Sequence, residues 1–490
     1  MSNESVLSKQ APPNSGEKTS LLEKISFFTA TAGVTPGVTI INGWLLFFYT
    51  RVVGLSPAAI GTLFLVARLA DGLNDPVMGF LVDHLPKTKM GRFRPYLMIF
   101  SVVYALNFML MWFGPQWAPR YSLLIAYITY LLIGISHDLM DVPHNCILPV
   151  MTDNERDRNF LSLLKGVALT IGGSVFGLPL ALMISENATS EEIRGVFNLI
   201  IAAITVTIIV LVCLGSLGIK ERISAEEEQK YSFKELLSIL RIRPVYAFFL
   251  AQLLVSIGSS TGATTGPFFA MYILKNMDVL AIIPIFFLIA AIPGMLVAPT
   301  FANRMGKRKA YLFGMTVTAA AGALRLISPS NIPLMFTSIA CATFGSCISS
   351  PVAFAIHADN TDYVEYVLNK RAEGAVASLA SFVTKASGGI GGAFAGYLLE
   401  WTKFTNYTDE QLTAAETAGI FLDQPKSAQN GIVVSTLWIP VITVLLAGIV
   451  FYKFYTVDKA RMEEITMELR ERRAAKIELA AEAGALEMDE

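Results

Sequence analysis

The chain has 490 residues, of which 53% are hydrophobic and 16% charged, with a formal net charge of −1. Soluble domains carry about 25% charged residues, so this composition excludes a soluble enzyme, a disordered chain and a disulfide-rich secreted module. Mean hydropathy is +0.54, and a bilayer-crossing helix needs about 20 apolar residues, which leaves material for about a dozen spans.

The first 20 residues are polar and hold no apolar core of a cleavable leader, so the first span is expected to serve as the targeting signal. Twelve apolar segments follow, near 28–50, 57–83, 96–114, 121–150, 160–184, 194–217, 244–274, 277–303, 310–327, 331–356, 375–400 and 431–455. They predict a tail over 1–27, a six-helix bundle over 28–217, a charged middle loop over 218–243, a second bundle over 244–455 and a tail over 456–490, helical from about 458 to 480. With the N-terminus in the cytoplasm, 27 of the 38 lysines and arginines fall inside, 5 outside and 6 within spans. That asymmetry is the positive-inside signal, and it places both termini in the cytoplasm. The four cysteines lie in apolar stretches without metal-ligand spacing and read as small buried residues.

The two halves echo each other. Span 2 runs into the basic turn KTKMGRFRP (87–95) and span 8 into NRMGKRKA (303–310). Loop 4–5 carries TDNERDR (152–158) and loop 10–11 carries DNTDYVEYVLNKR (359–371). Parallel six-helix halves are the mark of the major facilitator architecture. The expected fold is therefore an all-α membrane protein with 12 transmembrane helices in two pseudo-symmetric bundles.

Charges inside hydrocarbon are costly and usually face a functional cavity. Span 2 reads VARLADGLNDPVMG, which puts Asp71 and Asp75 on one helix face, with Arg68 one turn earlier and Asn74 alongside. Span 4 reads ISHDLMDVPHNC, in which Asp138 and Asp141 share a face flanked by His137 and His144. Span 11 contributes Lys385. Carboxylates with an amide oxygen suit a hard cation such as Na⁺ at Asp71, Asn74 and Asp75. Crowded acids also carry protons, so Na⁺ and H⁺ both remain open. Arg68 is a candidate substrate contact that also fits a structural pair with Asp71, and the two histidines fit packing roles. Thr35, Thr39, Asn42 and Trp44 on span 1 offer hydroxyl, amide and aromatic contacts to an amphipathic sugar.

At these motifs the sequence resembles a known family. VVGLSPAAIGTLFLVARLADGLNDPVMGFLVD (52–83), GRFRPYL (91–97), DVPHNCILPVMTDNERDR (141–158) and ADNTDYVEY (358–366) closely resemble the glycoside–pentoside–hexuronide:cation symporters. The resemblance runs from about residue 22 to 460. It implies two six-helix bundles with alternating access and a sugar or glycoside carried with a cation. By position it implies cation-site roles for Asp71, Asn74 and Asp75. It sets Asp141 where the cation and sugar sites meet, Lys165 at a sugar-contacting arginine and Lys385 at a lysine linked to both sites. Arg92, Arg94, Asp153, Arg156, Asp362 and Glu365 fall in segments resembling the cytoplasmic ion-pair latch.

Three positions depart from the family's type member. Thr35 replaces a sugar-binding aspartate, Asp138 replaces a cation-site threonine, and Asn145 replaces a tryptophan set against the sugar. With the span-1 acid lost and Lys165 and Lys385 kept, an acidic sugar is as well suited as a neutral one. The sequence lacks GxGD and HExxH patterns, so it predicts no enzyme. The alternative is a cation-coupled carrier of an amphipathic, lipid-like substrate. No cofactor beyond the coupling ion and no nucleic-acid partner is expected. The expected particle is a monomer in a bacterial inner membrane.

Overall fold

The computed structural model describes residues 19–83, 86, 88, 90–152, 154–185, 188–222, 238–368, 373–418 and 421–486, with the backbone alone at some helical positions, including 72–83. The tail before residue 19 and most of the expected middle loop, 223–237, lie outside the described residues. Helices fill almost all of the rest, and the only bridge among the described residues is the turn pairing Thr88 with Gly91. In hydrocarbon a backbone must satisfy its own hydrogen bonds, and helices do so within one segment.

In chain order the helices are α1 (Leu21–Arg51), α2 (Pro57–Asp83), α3 (Arg94–Trp117), α4 (Ser122–Met151), α5 (Glu155–Val175), α6 (Gly177–Leu182) and α7 (Ser190–Gly218). Then come α8 (Arg243–Phe269), α9 (Asp278–Met305), α10 (Lys307–Leu326), α11 (Ile332–Leu368), α12 (Glu373–Trp401), α13 (Asp409–Thr417), α14 (Lys426–Val433), α15 (Ile439–Phe454) and α16 (Lys459–Leu486). Each of the twelve apolar segments lies on helix. Among the described residues, nine stretches are long and apolar enough to cross a membrane. On α2 the described apolar stretch is Pro57–Arg68, and α10 is diluted by the charges of Lys307, Arg308, Lys309 and Arg325.

The chain divides into two compact units. The first holds residues 1–227, 263–282 and 392–432, and the second holds 228–262, 283–391 and 433–490. α8, α9 and α12 are each shared between the two.

In the first unit α1 is the central post, packed against α5 and α7. A capping box starts it: the Ser20 hydroxyl accepts from the Glu23 N–H and the Glu23 carboxylate accepts from the Ser20 N–H. Small residues then let backbones close up. A β-carbon on Gly215 of α7 would stand 2.6 Å from the Ser26 carbonyl oxygen and 2.8 Å from the Ala30 α-carbon. One on Gly172 of α5 would run into the Ala32 carbonyl. This is how helices associate in lipid, where close packing replaces the hydrophobic drive. α7 shows the two faces such packing creates. Phe197, Ile200, Ile204, Ile208 and Val212 are buried, whereas Leu199, Val206, Val210 and Leu214 are exposed along the opposite side.

The N-terminal half of α2 meets the C-terminal half of α12 in the same way. A β-carbon on Gly61 would be 2.8 Å from the Ala393 carbonyl oxygen, and one on Gly396 would strike the Pro57 carbonyl. Thr62 and Tyr397 join hydroxyls at 2.8 Å beside this seam.

The second unit is built on α10 against α11 and α15, around Phe248, Tyr311, Ile356 and Phe451. α16 docks on α11 through Ile465 and Leu469. The Arg472 guanidinium lies 5.0 Å from the Tyr366 ring centroid, and Arg472 donates to the Tyr366 carbonyl at 3.2 Å. Two ion pairs run along this helix, Arg472 with Glu468 four residues apart and Arg461 with Glu464 three apart.

Overpacking a close-packed site costs about 1–3 kcal/mol. Gly215→Val is therefore expected to lower the thermal midpoint of the purified protein by several degrees. Gly195→Val, where a β-carbon meets nothing within 4 Å, should shift it far less. Unfolding in detergent, followed by a fluorescent thiol probe, distinguishes the two.

Candidate functional site

The polar groups expected on spans 1, 2, 4 and 5 come together in the first unit. α2 presents Arg68 and Asp71, and Arg68 Nη1 donates to Asp71 Oδ2 at 2.8 Å. Asp71 is buried, and its other oxygen sits 2.5 Å from where a β-carbon on Gly134 would be. The glycine on α4 makes the notch that admits the carboxylate. One turn further along α4, Asp138 is also buried, with the His137 ring 3.8 Å away. The His137 ring leans edge-on against Tyr104 of α3 at 5.6 Å.

The next turn of α4 carries a linked set. The Asp141 carboxylate accepts from the Asn145 amide at 2.8 Å, and the oxygen of that amide accepts from the Lys165 ammonium of α5 at 2.7 Å. Asn145 is exposed, and Asp141 and Lys165 are half-buried, so the set is open to a solute. His144, between them in sequence, points the other way. It is 1% exposed, stacks on Phe27 and bonds the Thr31 hydroxyl at 3.0 Å. Thr31 already donates to the Phe27 carbonyl, so it accepts from His144 Nε2–H. That assigns the tautomer and makes His144 a pin between α1 and α4, the packing role expected of it.

α1 faces the same region with Thr35, Thr39 and Asn42, spaced along one side. Thr35 is half-buried and the other two are exposed, although α1 is otherwise the most buried span. A β-carbon on Gly173 of α5 would stand 2.9 Å from Thr39 Oγ1, so α5 runs close alongside. Trp44 is not on this stripe. Its ring packs edge-on against Phe47 and Phe197 in an aromatic core that includes Phe48 and Trp112.

Asn74 and Asp75 lie on α2, but their side chains are outside the described residues, as are Asp153 and the side chain of Arg156. Among the described residues no three His, Cys, Asp or Glu side chains form a metal-ligand group. Lys385 is half-buried on α12, in the second unit.

The basic turn after α2 is organised by an acid the sequence did not single out. Glu221 accepts from three backbone N–H groups, those of Arg92 at 2.7 Å, Phe93 at 2.9 Å and Arg94 at 2.8 Å. These are the free donors at the start of α3, where a negative charge also meets the positive end of the helix dipole. Gly91, at φ 116°, leaves room for the carboxylate, since a β-carbon there would be 2.5 Å from Glu221 Cδ. Arg94 turns its guanidinium onto the Ser216 and Leu217 carbonyls at the end of α7. Beside it, Arg222 holds both oxygens of the buried Glu23 at 2.9 and 3.0 Å.

Acids anchor the two matching loops as well. In loop 4–5 the anchoring acid is Asp157, which accepts from the Thr19 N–H at 2.7 Å, the Thr19 hydroxyl at 2.9 Å and Lys24 at 3.1 Å. In the second unit Lys307, from the matching basic turn, pairs with Asp359 at 2.6 Å. Asp362 and Glu365 lie half-buried on the following turns of α11. The latch residues expected from the motifs are thus neighbours of the acids that make these contacts.

A family profile described as MFS/sugar transport protein matches residues 28–459. The chain belongs to this family. It is a multi-pass membrane transporter and not an enzyme. It is 29% identical over 449 residues to an isoprimeverose transporter of Lactiplantibacillus pentosus, covering 89% of each chain. It is 26% identical over 450 residues to a glucuronide carrier protein homolog of Escherichia coli K12, covering 89% of this chain and 92% of the other. Among solved structures it matches a D-xylose-proton symporter with a TM-score of 0.59 at 14% identity, over 89% of this chain and 98% of that one. The major facilitator fold expected from the paired motifs is the fold of this transporter.

Burial raises the Asp157 carboxyl, but the Thr19 and Lys24 hydrogen bonds outweigh it and hold the group below its ordinary value of 3.8. A depressed carboxyl stabilises the fold above its unfolded value and loses that effect as pH falls through the folded one. The stability gap between wild type and Asp157→Asn should therefore be constant from pH 5 to 8. It should close only below about pH 3.8, as read by thermal unfolding across pH.

Proposed function

We propose that the transporter is a cation-coupled symporter that carries a sugar or glycoside by alternating access, with an acidic sugar as its substrate class. The observation that carries this reading is the open chain Asp141–Asn145–Lys165. One amide holds the carboxylate by its N–H and the ammonium by its oxygen. A sugar oxygen that displaces Asn145 at Lys165 frees the amide, and the lysine then offers a full positive charge to a carboxylate on the substrate. Thr35, Thr39 and Asn42 supply hydroxyl and amide partners along α1. An isoprimeverose transporter and a glucuronide carrier homolog among the relatives support the sugar class.

The coupling ion belongs to the acids of α2 and α4. Asp71 and Asp138 are buried, and with Asp141 they are the described acids of a site for Na⁺ or H⁺, to which the sequence pattern adds Asn74 and Asp75. A bound cation lowers the repulsion among these acids and so favours the loaded carrier. Coupling of this kind is reciprocal, so sugar raises cation affinity by the factor by which cation raises sugar affinity.

Lys165→Gln is expected to raise the apparent KM for a glucuronide at least tenfold, the scale of one lost charge-assisted hydrogen bond, and that for a neutral pentoside about twofold or less. Uptake into right-side-out vesicles with matched neutral and acidic sugars tests this. Equal losses for both would overturn the acidic class, and no sugar uptake under any ion gradient would overturn the symporter reading. Asp71→Asn should abolish accumulation driven by a Na⁺ or pH gradient while leaving sugar exchange at equal concentrations measurable. Wild-type accumulation in this variant would remove Asp71 from the cation site.

A further inference from the structure

Three cations converge at one end of the second unit, and none has an acidic partner among the described residues. Arg243 opens α8, Arg308 is the second residue of α10, and Lys453 lies in the last turn of α15. Arg243 donates to the Lys453 carbonyl at 3.3 Å and Arg308 to the Tyr452 carbonyl at 2.8 Å. Those carbonyls are consecutive and belong to the unsatisfied end of α15. The two guanidinium groups are thereby held side by side. Each uses one donor on a carbonyl, and a guanidinium has five. Arg308 Nε is buried without a hydrogen-bond partner.

Aromatic rings frame the group. Arg243 and Lys453 lie 5.3 and 5.7 Å from the Phe454 ring, and Arg308 lies 5.7 Å from the Tyr452 ring. Tyr452 is 68% exposed and Ile449, one turn away, 60%. α10 also starts here, at Gly306, with no side chain capping it. A helix start of that kind attracts an anion. Rings of this type sit at headgroup level, and the lysine and arginine asymmetry assigns this end to the cytoplasmic leaflet.

We infer that Arg243, Arg308 and Lys453 form a binding site for the phosphate of an anionic phospholipid, whose acyl chains lie along the exposed apolar face of α15. Charge complementarity supplies the headgroup contact. The exposed run Leu445, Ile449 and Tyr452 commits the site to a lipid, because a free phosphate would leave that face uncovered.

The test is native mass spectrometry of the detergent-purified protein titrated with dioleoyl phosphatidylglycerol. Each basic side chain near an anionic lipid surface is worth about fivefold in affinity. The double variant Arg243→Gln/Arg308→Gln should retain the lipid about thirtyfold less well, and Lys453→Gln about fivefold less well. Arg120→Gln, an exposed arginine elsewhere on the chain, should bind like wild type. Thermal midpoints measured in zwitterionic lipid verify folding, and Lys453→Gln carries the test if the double variant fails to fold. Equal retention by wild type and the folded variants overturns the site. Displacement of the lipid by equal amounts of inorganic phosphate overturns its lipid character.

Discussion

Hydrocarbon offers no hydrogen bonds, and the organisation of this transporter follows from that constraint. It forces the backbone into helices and removes the usual apolar drive for packing them. Association then rests on backbones that approach closely, and the glycines of α5, α7 and α12 stand where neighbouring carbonyls leave no space for a side chain. The same constraint governs the charges. Asp71 lies in a notch that Gly134 opens and is paired with Arg68, and Glu23 is buried with both oxygens on Arg222. Asp71, Glu23 and Asp157 each have a donor or a cation beside them.

The site is layered by this economy of partners. Its deepest acids, Asp71 and Asp138, are enclosed. Asp141 is tied to the open side only through Asn145 and Lys165. A cation among the enclosed acids and a sugar at the open side would thus share one residue. Helix ends are fixed separately, by Glu221 and Asp157, which hold the starts of α3 and α1. These acids tie the starts of α3 and α1 to segments more than a hundred residues away.

Much of this is legible in the sequence, and the limits have physical causes. The spans are visible because apolar length is a local property, and the acids of spans 2 and 4 because spacings of three and four residues fix a shared helix face. The anchoring roles of Glu221 and Asp157 are not visible. Their partners are 128 and 138 residues away and include backbone N–H groups, which carry no side-chain signature. Gly134 is likewise silent until the carboxylate in its notch is seen. Trp44 shows the ambiguity of an aromatic residue on a polar-lined span. Its neighbours, not its type, decide that it packs against Phe47 and Phe197.

The Thr35–Thr39–Asn42 stripe lies on the span that does most to hold the first unit together, yet its own side chains stand largely outside that packing. The Thr35 and Thr39 hydroxyls spend their donors on carbonyls of their own helix. On the reading proposed above, ligand preference and scaffold integrity are written on opposite sides of one rod. Under that reading, natural drift or laboratory evolution can retune the first while leaving the second under separate selection, so a lineage can change diet without rebuilding its carrier.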